Sequence, residues 1–409
     1  MKILQINNCH YRRGGADVVY LNTGELIAEK GEDIIYFSTS SELNISNRYI
    51  TYFAENTDAL KVSLVKQLSL VQKKLYSLEA KRKLNSLLQK TKPDVAHIHL
   101  YKGGLTASIL STLVNNRIPI VITLHDYGLL CPRNILFNAD NEICTLCLTK
   151  SSFNCVKNKC NRHNLFYSFT NFLEYNLNNK LYSPHKIFSK IICVSKFNYD
   201  LHKEFRPNLS DQLVHLYNFS PIVSASTPNH KKGDYFLFFG RLSKEKGINT
   251  LIESIKGLPI LLKIVGTGDL MDSLKMEKRE NVEFLGFKTG SELEELIRDS
   301  SFVIVPSEWY ENNPMTIIEA FAFGKPVIGS RTGGIPELII ENETGFSFEM
   351  GNVQDLRDQI IKGSIIDNKQ YENLSINARK FAETKFSKDS HFESLMNIYN
   401  EAIISKIKT

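Results

Sequence analysis

The segment VIVPSEWYENNPMTIIEAFAFGKPVI, residues 303–328, has the pattern of a strand, a polar loop, a helix and a second strand. The apolar run at 302–305 is typical of a buried strand. Pro314 suits the first position of the helix, with Asn313 as its cap. Glu311 then lies in the loop, and Glu319 lies about a turn and a half inside the helix. The segment therefore predicts a helix N-terminus between two carboxylates, able to hold a phosphate on its amides and hydroxyl groups on the acids.

Strand–helix units recur on both sides of this segment. A first set of apolar strands is predicted at 2–7, 33–37, 93–99, 119–125 and 190–195, with a glycine turn, Gly14-Gly15, and a helix, Ala16 to Lys30, after the first strand. A second set is predicted at 235–241, 261–265, 282–286, 302–305 and 326–329. The polar stretch Ser220 to Gly233 between the sets is typical of a linker. The fold class is therefore α/β, with two Rossmann-like, doubly wound domains at 1–220 and 234–387 and a cleft between them.

Composition limits the function and the location of the chain. Its 409 residues are 42% hydrophobic and 23% charged, with a net charge of +6. These values are those of a soluble globular protein that can bind an anionic substrate or an anionic membrane face. The sequence has no run long enough to span a membrane, no secretory signal and no aromatic-studded basic motif for nucleic acid. We expect a cytoplasmic protein, with peripheral binding to the inner face of the plasma membrane as an alternative.

A basic helical stretch is predicted between Thr57 and Lys92. Its apolar residues step by four and three and form one stripe: Leu64, Leu68, Val71, Leu75 and Leu78. Lysine and arginine surround the stripe at Lys61, Lys66, Lys73, Lys74, Lys81, Arg82, Lys83 and Lys90. Two interpretations remain open: a solvated helix packed on the sheet, or a surface that touches anionic lipid head groups.

Five short motifs of the second half carry a family resemblance. They are GRLSKEKG at 240–247, VGTGD at 265–269, FLGF at 284–287, the Glu311 to Glu319 segment and TGGIPE at 332–337. Their order and spacing resemble the GT-B retaining glycosyltransferases, specifically glycosyltransferase family 4, also called glycosyl transferases group 1. The resemblance covers nearly the whole chain and is most specific in the second half. It implies two Rossmann-like domains facing a central cleft, with a C-terminal helix at 388–409 returning to the first domain.

The same resemblance assigns roles to individual residues. The first glutamate of the E-x7-E motif, Glu311, would contact the donor sugar, and the second, Glu319, would bind the ribose. Arg241 and Lys246 would bind the diphosphate, while the backbone near Phe287 would receive the base. The remaining assignments are the backbone of Asn313, Pro314, Met315 and Thr316 near the sugar and phosphate, the turn Gly14-Gly15 close to the diphosphate, and His125 facing the reacting sugar.

Simpler interpretations exist for several of these residues. Arg241 and Lys246 are also compatible with solvated surface charges, and Gly14-Gly15 with an ordinary turn. His125 precedes Asp126, which is able to satisfy it at a strand end. His97 and His99, near another strand end, are predicted to be hydrogen-bonded core residues.

The expected chemistry follows from these residue types. A nucleoside diphosphate leaves, and Arg241, Lys246 and the helix N-terminus supply fixed positive potential for its developing charge. The sequence has no Asp-x-Asp motif, which favours a metal-independent enzyme of class EC 2.4 with no cofactor required for catalysis. No nucleophile is evident for a covalent intermediate, and the resemblance implies retention, with attack on the face from which the leaving group departs.

The partners are predicted only by class. The donor is a nucleotide-diphosphate sugar, and the acceptor is a saccharide or a lipid-linked saccharide, as in the assembly of a surface polysaccharide such as lipopolysaccharide or capsule. A soluble acceptor remains an alternative. A nucleotide-sugar-binding protein without transferase activity is the competing function. A dehydrogenase is disfavoured because the first loop lacks G-x-G-x-x-G, and a phosphorylase is usually longer and carries a pyridoxal-binding lysine.

A cysteine-rich insertion is predicted at 131–160. It contains five of the seven cysteines, and Cys144 and Cys147 form a C-x2-C pair that Cys155 and Cys160 follow. Four thiolates at such spacing predict a structural zinc, with Cys131 as a further candidate ligand. The alternative is a group of small buried hydrophobic residues without metal.

Overall fold

Two parallel sheets of six strands each organise the described part of the chain. The computed structural model describes residues 1–56, 75–276 and 279–407. It divides into two units. Unit 1 comprises Met1–Asp140, Cys144–Leu216 and His391–Thr409, and unit 2 comprises Asn141–Ile143 and Tyr217–Ser390. The predicted α/β class with two Rossmann-like domains is therefore confirmed.

The sheet of unit 1 has the order β2-β1-β3-β4-β5-β6. Its strands are β1 (Lys2–Ile6), β2 (Asp33–Phe37), β3 (Val95–Ile98), β4 (Ile120–Leu124), β5 (Lys190–Cys193) and β6 (Leu213–His215). The almost unbroken apolar sequences of β3 and β4 fit strands that are buried on both faces. Strand β6 was not predicted, because three residues are too few to show a period.

Helices of unit 1 connect these parallel strands. They are α1 (Gly15–Glu29), α2 (Leu78–Thr91), α3 (Ser108–Asn115), α4 (Leu146–Thr149), α5 (Asn154–Lys157), α6 (Leu165–Leu181), α7 (Pro184–Ile187) and α8 (Lys196–Phe205). Side-chain caps begin three of them: Ser77 accepts from the Ala80 amide, Asn164 from Phe166 and Tyr167, and Ser195 from Asn198. Short 3-10 turns occur at Ile50–Tyr52 and Pro207–Leu209.

The sheet of unit 2 has the order β12-β11-β10-β7-β8-β9. Its strands are β7 (Tyr235–Phe239), β8 (Leu261–Val265), β9 (Val282–Gly286), β10 (Val303–Val305), β11 (Val327–Ser330) and β12 (Gly345–Phe348). The connecting elements are α9 (Ile222–Ala225), the 3-10 turn Lys244–Lys246, α10 (Ile248–Ser254), α11 (Met271–Met276), α12 (Gly290–Arg298), α13 (Met315–Ala322), α14 (Val353–Ile365) and α15 (Asn368–Lys385). Strand β12 was also not predicted from the sequence.

The last helix, α16 (Lys388–Ile407), supplies apolar residues to unit 1. Leu395, Ile398, Tyr399 and Ala402 share a core cluster with residues of β1, β3, β4 and β5. The Tyr399 hydroxyl lies 2.7 Å from Nδ1 of His97. Residues from the end of the chain thus complete the core of the first unit.

Two sequence expectations about local structure are corrected. The polar stretch 220–233 is not simply a linker, because it contains α9 and buries Val223 in a core cluster of unit 2. Composition alone does not show this packing. The helix after Glu311 begins at Met315, with Pro314 rather than Asn313 at its N-cap position.

The basic stretch at Thr57 to Lys92 lies only partly within the described residues. Leu64, Leu68, Val71, Lys61, Lys66, Lys73 and Lys74 fall outside them. The described end forms α2, which buries Leu84, Leu87 and Leu88 in the core of unit 1. Across 1–56, 75–276 and 279–407, none of the helices combines the length and the apolar character that a membrane span needs.

Candidate functional site

The loop after β10 holds Glu311 as a buried carboxylate with named partners. Its Oε1 atom lies 2.6 Å from the Lys246 ammonium and accepts a hydrogen bond of 2.7 Å from the Ser307 hydroxyl. Burial alone would raise the pKa of Glu311, but the Lys246 charge and the hydrogen-bond donors bring the net pKa below its usual range. Glu311 is therefore ionised at neutral pH, although only 6% of the residue is exposed.

Lys246 reaches this carboxylate because two loops of unit 2 pack backbone against backbone. Gly247 adopts φ +68°, and a Cβ on it would lie 1.8 Å from the carbonyl oxygen of Pro306. The Glu308 amide donates to the Glu245 carbonyl at 2.9 Å. The Lys246 ammonium also lies 5.2 Å from the centre of the Trp309 ring, within the range of a cation–π contact. Only glycine fits after Lys246, and the close packing of the two loops at Gly247 brings Lys246 to Glu311.

Helix α13 begins directly after this loop without a side-chain cap. Pro314 occupies the N-cap position and forms no capping hydrogen bond. The Asn313 side chain, predicted as the cap, instead accepts a 2.9 Å hydrogen bond from the Asn218 amide. Within the described residues its buried Nδ2 group has no partner. The N-terminal amides of α13 and this Nδ2 donor are therefore available to an anionic or hydroxyl-bearing ligand.

Glu319 lies on α13 and is mostly buried. No described residue forms a hydrogen bond or ion pair with its carboxylate. Burial, together with the Glu294 charge, raises the pKa of Glu319 to about 7. A carboxylate that is desolvated and has no protein donor is suited to accept hydrogen bonds from ligand hydroxyl groups.

Arg241 and Phe287 follow the carboxyl ends of β7 and β9, as the Glu311 loop follows β10. Arg241 is exposed, and its side chain forms no ion pair with any part of the chain that the structure describes. Phe287 is 71% exposed. The Leu242 amide donates to the Thr267 carbonyl at 2.9 Å, which joins the loops after β7 and β8. Unit 2 thus gathers its predicted residues at one edge of its sheet, where ligands of such folds bind.

Gly14 and Gly15 lie at the start of α1 in unit 1, in the loop that follows β1. Gly14 is the N-cap residue, its φ of −156° is ordinary extended backbone, and no side chain caps the helix. A Cβ on Gly14 would meet only Asp17 Oδ2, at 3.9 Å. Neither the backbone conformation nor the local packing of this unit requires glycine at this position.

His125 belongs to a hydrogen-bonded row of side chains in unit 1. Its Nε2 lies 2.9 Å from Nδ1 of His99, and the two rings stack 5.1 Å apart. Nε2 of His99 lies 3.0 Å from Oε1 of Gln5. Nδ1 of His97 lies 2.7 Å from the Tyr399 hydroxyl, and its Nε2 lies 2.7 Å from Thr123 Oγ1. The prediction that His97 and His99 are hydrogen-bonded core residues is confirmed.

This row defines the tautomer of His125 for the observed orientation of the Gln5 amide. An amide oxygen only accepts, so the proton of His99 lies on Nε2. Burial, with His97 and His125 nearby, lowers the pKa of His99 well below its ordinary value, so the ring is neutral and its Nδ1 accepts. The Nε2–H group of His125 is then the donor, and its Nδ1 carries the lone pair. Burial lowers the pKa of His125 itself to about 3, so this ring is neutral as well.

Asp126 is not the partner of His125. Its Oδ1 accepts a 2.8 Å hydrogen bond from the Gly128 amide. The Asp126 carboxylate is also within electrostatic range of the half-buried Lys102 ammonium. The structure therefore does not show the simpler interpretation, in which Asp126 forms a hydrogen bond with the His125 ring.

The cysteine-rich insertion contains reduced thiols. Cys131, Cys144, Cys147, Cys155 and Cys160 are all unbridged. A hydrogen bond from the Cys155 thiol, helped by Arg133, lowers the pKa of Cys160, whereas burial raises the pKa of Cys131. Among the residues that the structure describes, no group of three or more His, Cys, Asp or Glu side chains is placed to hold a metal ion. The four-thiolate zinc site is not formed in this arrangement, and zinc binding stays a prediction.

Three site residues were not found from the sequence. Ser307 and Trp309 lie inside the segment quoted first, but nothing in their spacing distinguishes them from other loop residues. Asn218 lies just before the predicted linker, and its backbone amide donates to the Asn313 side chain. The pairing of Lys246 with Glu311 joins two motifs 65 residues apart, which periodicity does not reveal.

Comparison with known proteins agrees with this geometry. The family model "Glycosyltransferase Family 4" matches residues 13–219, and "Glycosyl transferases group 1" matches residues 221–381. N-acetyl-alpha-D-glucosaminyl L-malate synthase of Bacillus anthracis is 24% identical over 97% of this chain and 96% of its own length. The UDP-Gal:alpha-D-GlcNAc-diphosphoundecaprenol alpha-1,3-galactosyltransferase of Escherichia coli is 23% identical over 79% of each chain.

A solved structure shares the fold. The Anabaena protein Alr3699/HepE, crystallised in complex with UDP-glucose, superposes with a TM-score of 0.67 at 19% identity, covering 97% of this chain and 98% of that one. The first family model alone spans half of the chain, and the two together span nearly all of it. The chain therefore belongs to the GT-B glycosyltransferases of family 4, with a group 1 domain in its second half.

Proposed function

We propose that this chain transfers a sugar from a nucleotide-diphosphate sugar to a saccharide or lipid-linked saccharide acceptor, with retention of the anomeric configuration. The observation that carries the proposal is the ionised Glu311, held between Lys246 and Ser307 beside the uncapped start of α13. This arrangement offers a cation and backbone amides to a diphosphate, and a carboxylate to a sugar.

The donor is bound by unit 2 in this proposal. Arg241, Lys246 and the first amides of α13, from Met315 and Thr316, hold the diphosphate. Glu319 accepts from the ribose hydroxyl groups, and the backbone near Phe287 receives the base. The unpartnered Nδ2 of Asn313 gives a further donor to the sugar or phosphate beside Pro314. The UDP-glucose complex of HepE supports a nucleotide sugar as the donor class.

The chemical step breaks the bond between the anomeric carbon and the diphosphate oxygen. An acceptor hydroxyl oxygen forms the new bond on the same face of the sugar, and its proton passes to a phosphate oxygen of the leaving nucleoside diphosphate. Negative charge grows on the diphosphate in the transition state, where Arg241, Lys246 and the α13 dipole stabilise it. Glu311 stabilises the positive charge that develops on the sugar ring.

Unit 1 contributes Gly14, Gly15 and His125 in this proposal. The absent side chain of Gly14 leaves room for the diphosphate to approach the start of α1. His125 is neutral and directs its Nε2–H toward His99, so its Nδ1 lone pair is the atom that can accept from a sugar hydroxyl. In this proposal Arg241, Lys246 and the α13 amides supply the positive potential for the diphosphate without a metal ion.

The acceptor is proposed to be lipid-linked, in the assembly of a bacterial surface polysaccharide. The diphosphoundecaprenol galactosyltransferase supports this class, whereas the L-malate synthase shows that a relative of similar length takes a small soluble acceptor. The proposed place of action is the cytoplasmic face of a membrane.

A thermal-shift screen with UDP-, GDP- and ADP-sugars tests the donor assignment first, because a bound donor raises the Tm by mass action. We expect one base and sugar combination to stabilise wild-type protein, and Glu319→Ala to lose most of that shift. Release of the nucleoside diphosphate in the presence of an acceptor panel then tests transfer. Donor binding without release under any acceptor would favour the non-enzymatic alternative, and an inverted anomeric centre in the product NMR spectrum would exclude retention.

A further inference from the structure

Helix α6 (Leu165–Leu181) presents an apolar stripe to solvent. Leucine and phenylalanine recur at every fourth position, as Leu165, Phe169, Leu173, Leu177 and Leu181, and Phe166 lies beside them. Residues four apart are neighbours on the surface of a helix, and the row winds around the helix because four residues exceed one turn of 3.6. The exposed fractions are 56% for Leu165, 46% for Phe166, 42% for Phe169, 40% for Leu177 and 66% for Leu181. Leu173, in the middle of the row, is half-buried. Scattered exposed leucines are ordinary, but several exposed apolar residues along one helix mark a binding surface.

The opposite face of α6 is fixed to unit 1, so the stripe has a defined orientation. Tyr175 is buried, and its hydroxyl donates to the Leu129 and Leu130 carbonyls at 3.3 and 3.2 Å. The Arg206 guanidinium donates to the same hydroxyl. Ser168, also buried, accepts a 3.0 Å hydrogen bond from the Asn161 amide. The helix is held by its polar and buried side. On its apolar side, Phe166 and Phe169 make ring contacts, among the described residues, only with the neighbouring Tyr167 and Phe172, and both remain exposed.

Cationic side chains accompany the stripe. Residues 150–186 contain six lysines and arginines and a single carboxylate, Glu174, which gives this stretch a net charge of +5 with its histidines neutral. All six cations are exposed: Lys150, Lys157, Lys159, Arg162, Lys180 and Lys186. Phe153, in the same stretch, is 42% exposed and makes an edge contact with Phe172 at 5.4 Å. Aromatic and leucine side chains within a basic surround are the composition of helices that lie in a membrane interface.

We propose that α6 is a membrane-docking helix that inserts its apolar stripe into the head-group region of an anionic bilayer. An apolar helix face can bind a second copy of this chain or a membrane surface, and the charge of α6 distinguishes the two. A second copy of this chain would bring a +5 surface against an identical one, whereas an anionic bilayer neutralises it. The surface differs from the one expected from the sequence, which lay at 57–92.

The purpose of docking depends on the proposed function, because docking would place unit 1 beside a lipid-linked acceptor anchored in the bilayer. Its physical basis is independent, because the stripe and the cations take no part in the donor site. The two can therefore fail separately.

Co-sedimentation of the full chain with vesicles tests the proposal. The vesicles are phosphatidylcholine alone or phosphatidylcholine with phosphatidylglycerol, and no donor is added. We expect binding to the anionic vesicles, weak binding to the neutral ones, and a decrease at high salt. The variant Phe166→Asp/Phe169→Asp should lower the partition coefficient at least about tenfold on anionic vesicles, and Lys157→Glu/Lys159→Glu should lower it by about tenfold or more.

The matched control is Leu43→Asp/Ile365→Asp, which places the same charges at apolar residues that are 68% and 78% exposed but lie outside α6. It should bind anionic vesicles within about twofold of wild type, and all variants should keep the wild-type Tm because the substituted residues are exposed. Equal partitioning of the Phe166/Phe169 variant and the control would overturn the proposal. So would a dimer in sedimentation equilibrium that the same variant abolishes, without any vesicle binding.

Transfer to a soluble acceptor analogue separates docking from the proposed function. A Phe166/Phe169 variant that loses vesicle binding but keeps this activity supports docking as a separate property of α6. Vesicle binding by wild-type protein that transfers no sugar would leave the docking helix in place and remove the proposed function.

Discussion

Two loops of this chain place a glycine immediately before a helix, and the two glycines differ in what requires them. In unit 2, Gly247 has a positive φ, and a Cβ there would lie 1.8 Å from the Pro306 carbonyl. In unit 1, Gly14 has an extended backbone, and a Cβ there would find its nearest neighbour at 3.9 Å. Backbone conformation and packing require glycine at position 247, whereas neither requires glycine at position 14. The space beside Gly14 is therefore open to a ligand.

The unit 2 loop should show the largest effect on activity when the charge of Glu311 is removed. Glu311→Gln keeps the shape of the side chain but leaves Lys246 without its carboxylate and the sugar without a negative charge. We expect kcat to fall about 100- to 1,000-fold, as for the loss of other groups that stabilise transition-state charge, with donor affinity changed by less than about tenfold. Initial rates of nucleoside diphosphate release and donor titrations measure both quantities.

Glu308→Gln is the matched control in the same loop, because its carboxylate is bonded to Thr250 rather than directed at the site. It should keep kcat within about threefold of wild type. Equal activity of the two variants would mean that transfer does not require the negative charge of Glu311.

The structural role of Gly247 predicts the largest loss of stability. Gly247→Ala forces a left-handed conformation on alanine and pushes its Cβ into the Pro306 carbonyl, so we expect a loss of about 2–4 kcal/mol. Gly257→Ala is the control in the same unit: its φ is +71°, but no atom lies within 4 Å of the added Cβ. It should cost only about 1 kcal/mol. Thermal unfolding with and without donor measures both, and equal Tm values would show that the close backbone contact is not required.

Glu319 predicts a pH dependence of stability in the ligand-free protein. Its pKa is raised from the ordinary value of 4.5 to about 7, so the folded state binds its proton more tightly than the unfolded state does. The resulting stabilisation is fully present below pH 4.5 and is lost as the pH rises through about 7. Relative to Glu319→Gln, the free energy of unfolding of wild type should therefore fall by on the order of 2–3 kcal/mol between pH 4.5 and 8. Parallel unfolding curves for the two proteins across this range would contradict the raised pKa.

The sequence was most informative where the fold itself dictates residue identity. The strands β2, β8 and β9 were predicted with their observed bounds, and the predicted residues of unit 2 do collect at one sheet edge. The Lys246–Glu311 pair and the Asn218–Asn313 bond could not be predicted, because they depend on how separate loops pack. The exposure of α6 could not be predicted either, because a four-residue apolar period is equally typical of a core helix. Only the exposure of Leu165 and Leu181 shows that the stripe is outside.

The smallest effect is expected at Gly14, and it tests the comparison between the two glycines most directly. Gly14→Ala should change stability by less than about 1 kcal/mol, because the backbone is extended and the added methyl group meets only Asp17. Its kcat/KM should nevertheless fall about tenfold, since the methyl group occupies the space proposed for the diphosphate. Gly24→Ala in the same helix is the converse control, because its Cβ would lie 2.3 Å from the Tyr36 hydroxyl. That variant should lower the Tm while the folded fraction keeps its kcat/KM. If Gly14→Ala were as active as wild type, Gly14 would be an ordinary turn residue, and the diphosphate would have to be bound by unit 2 alone.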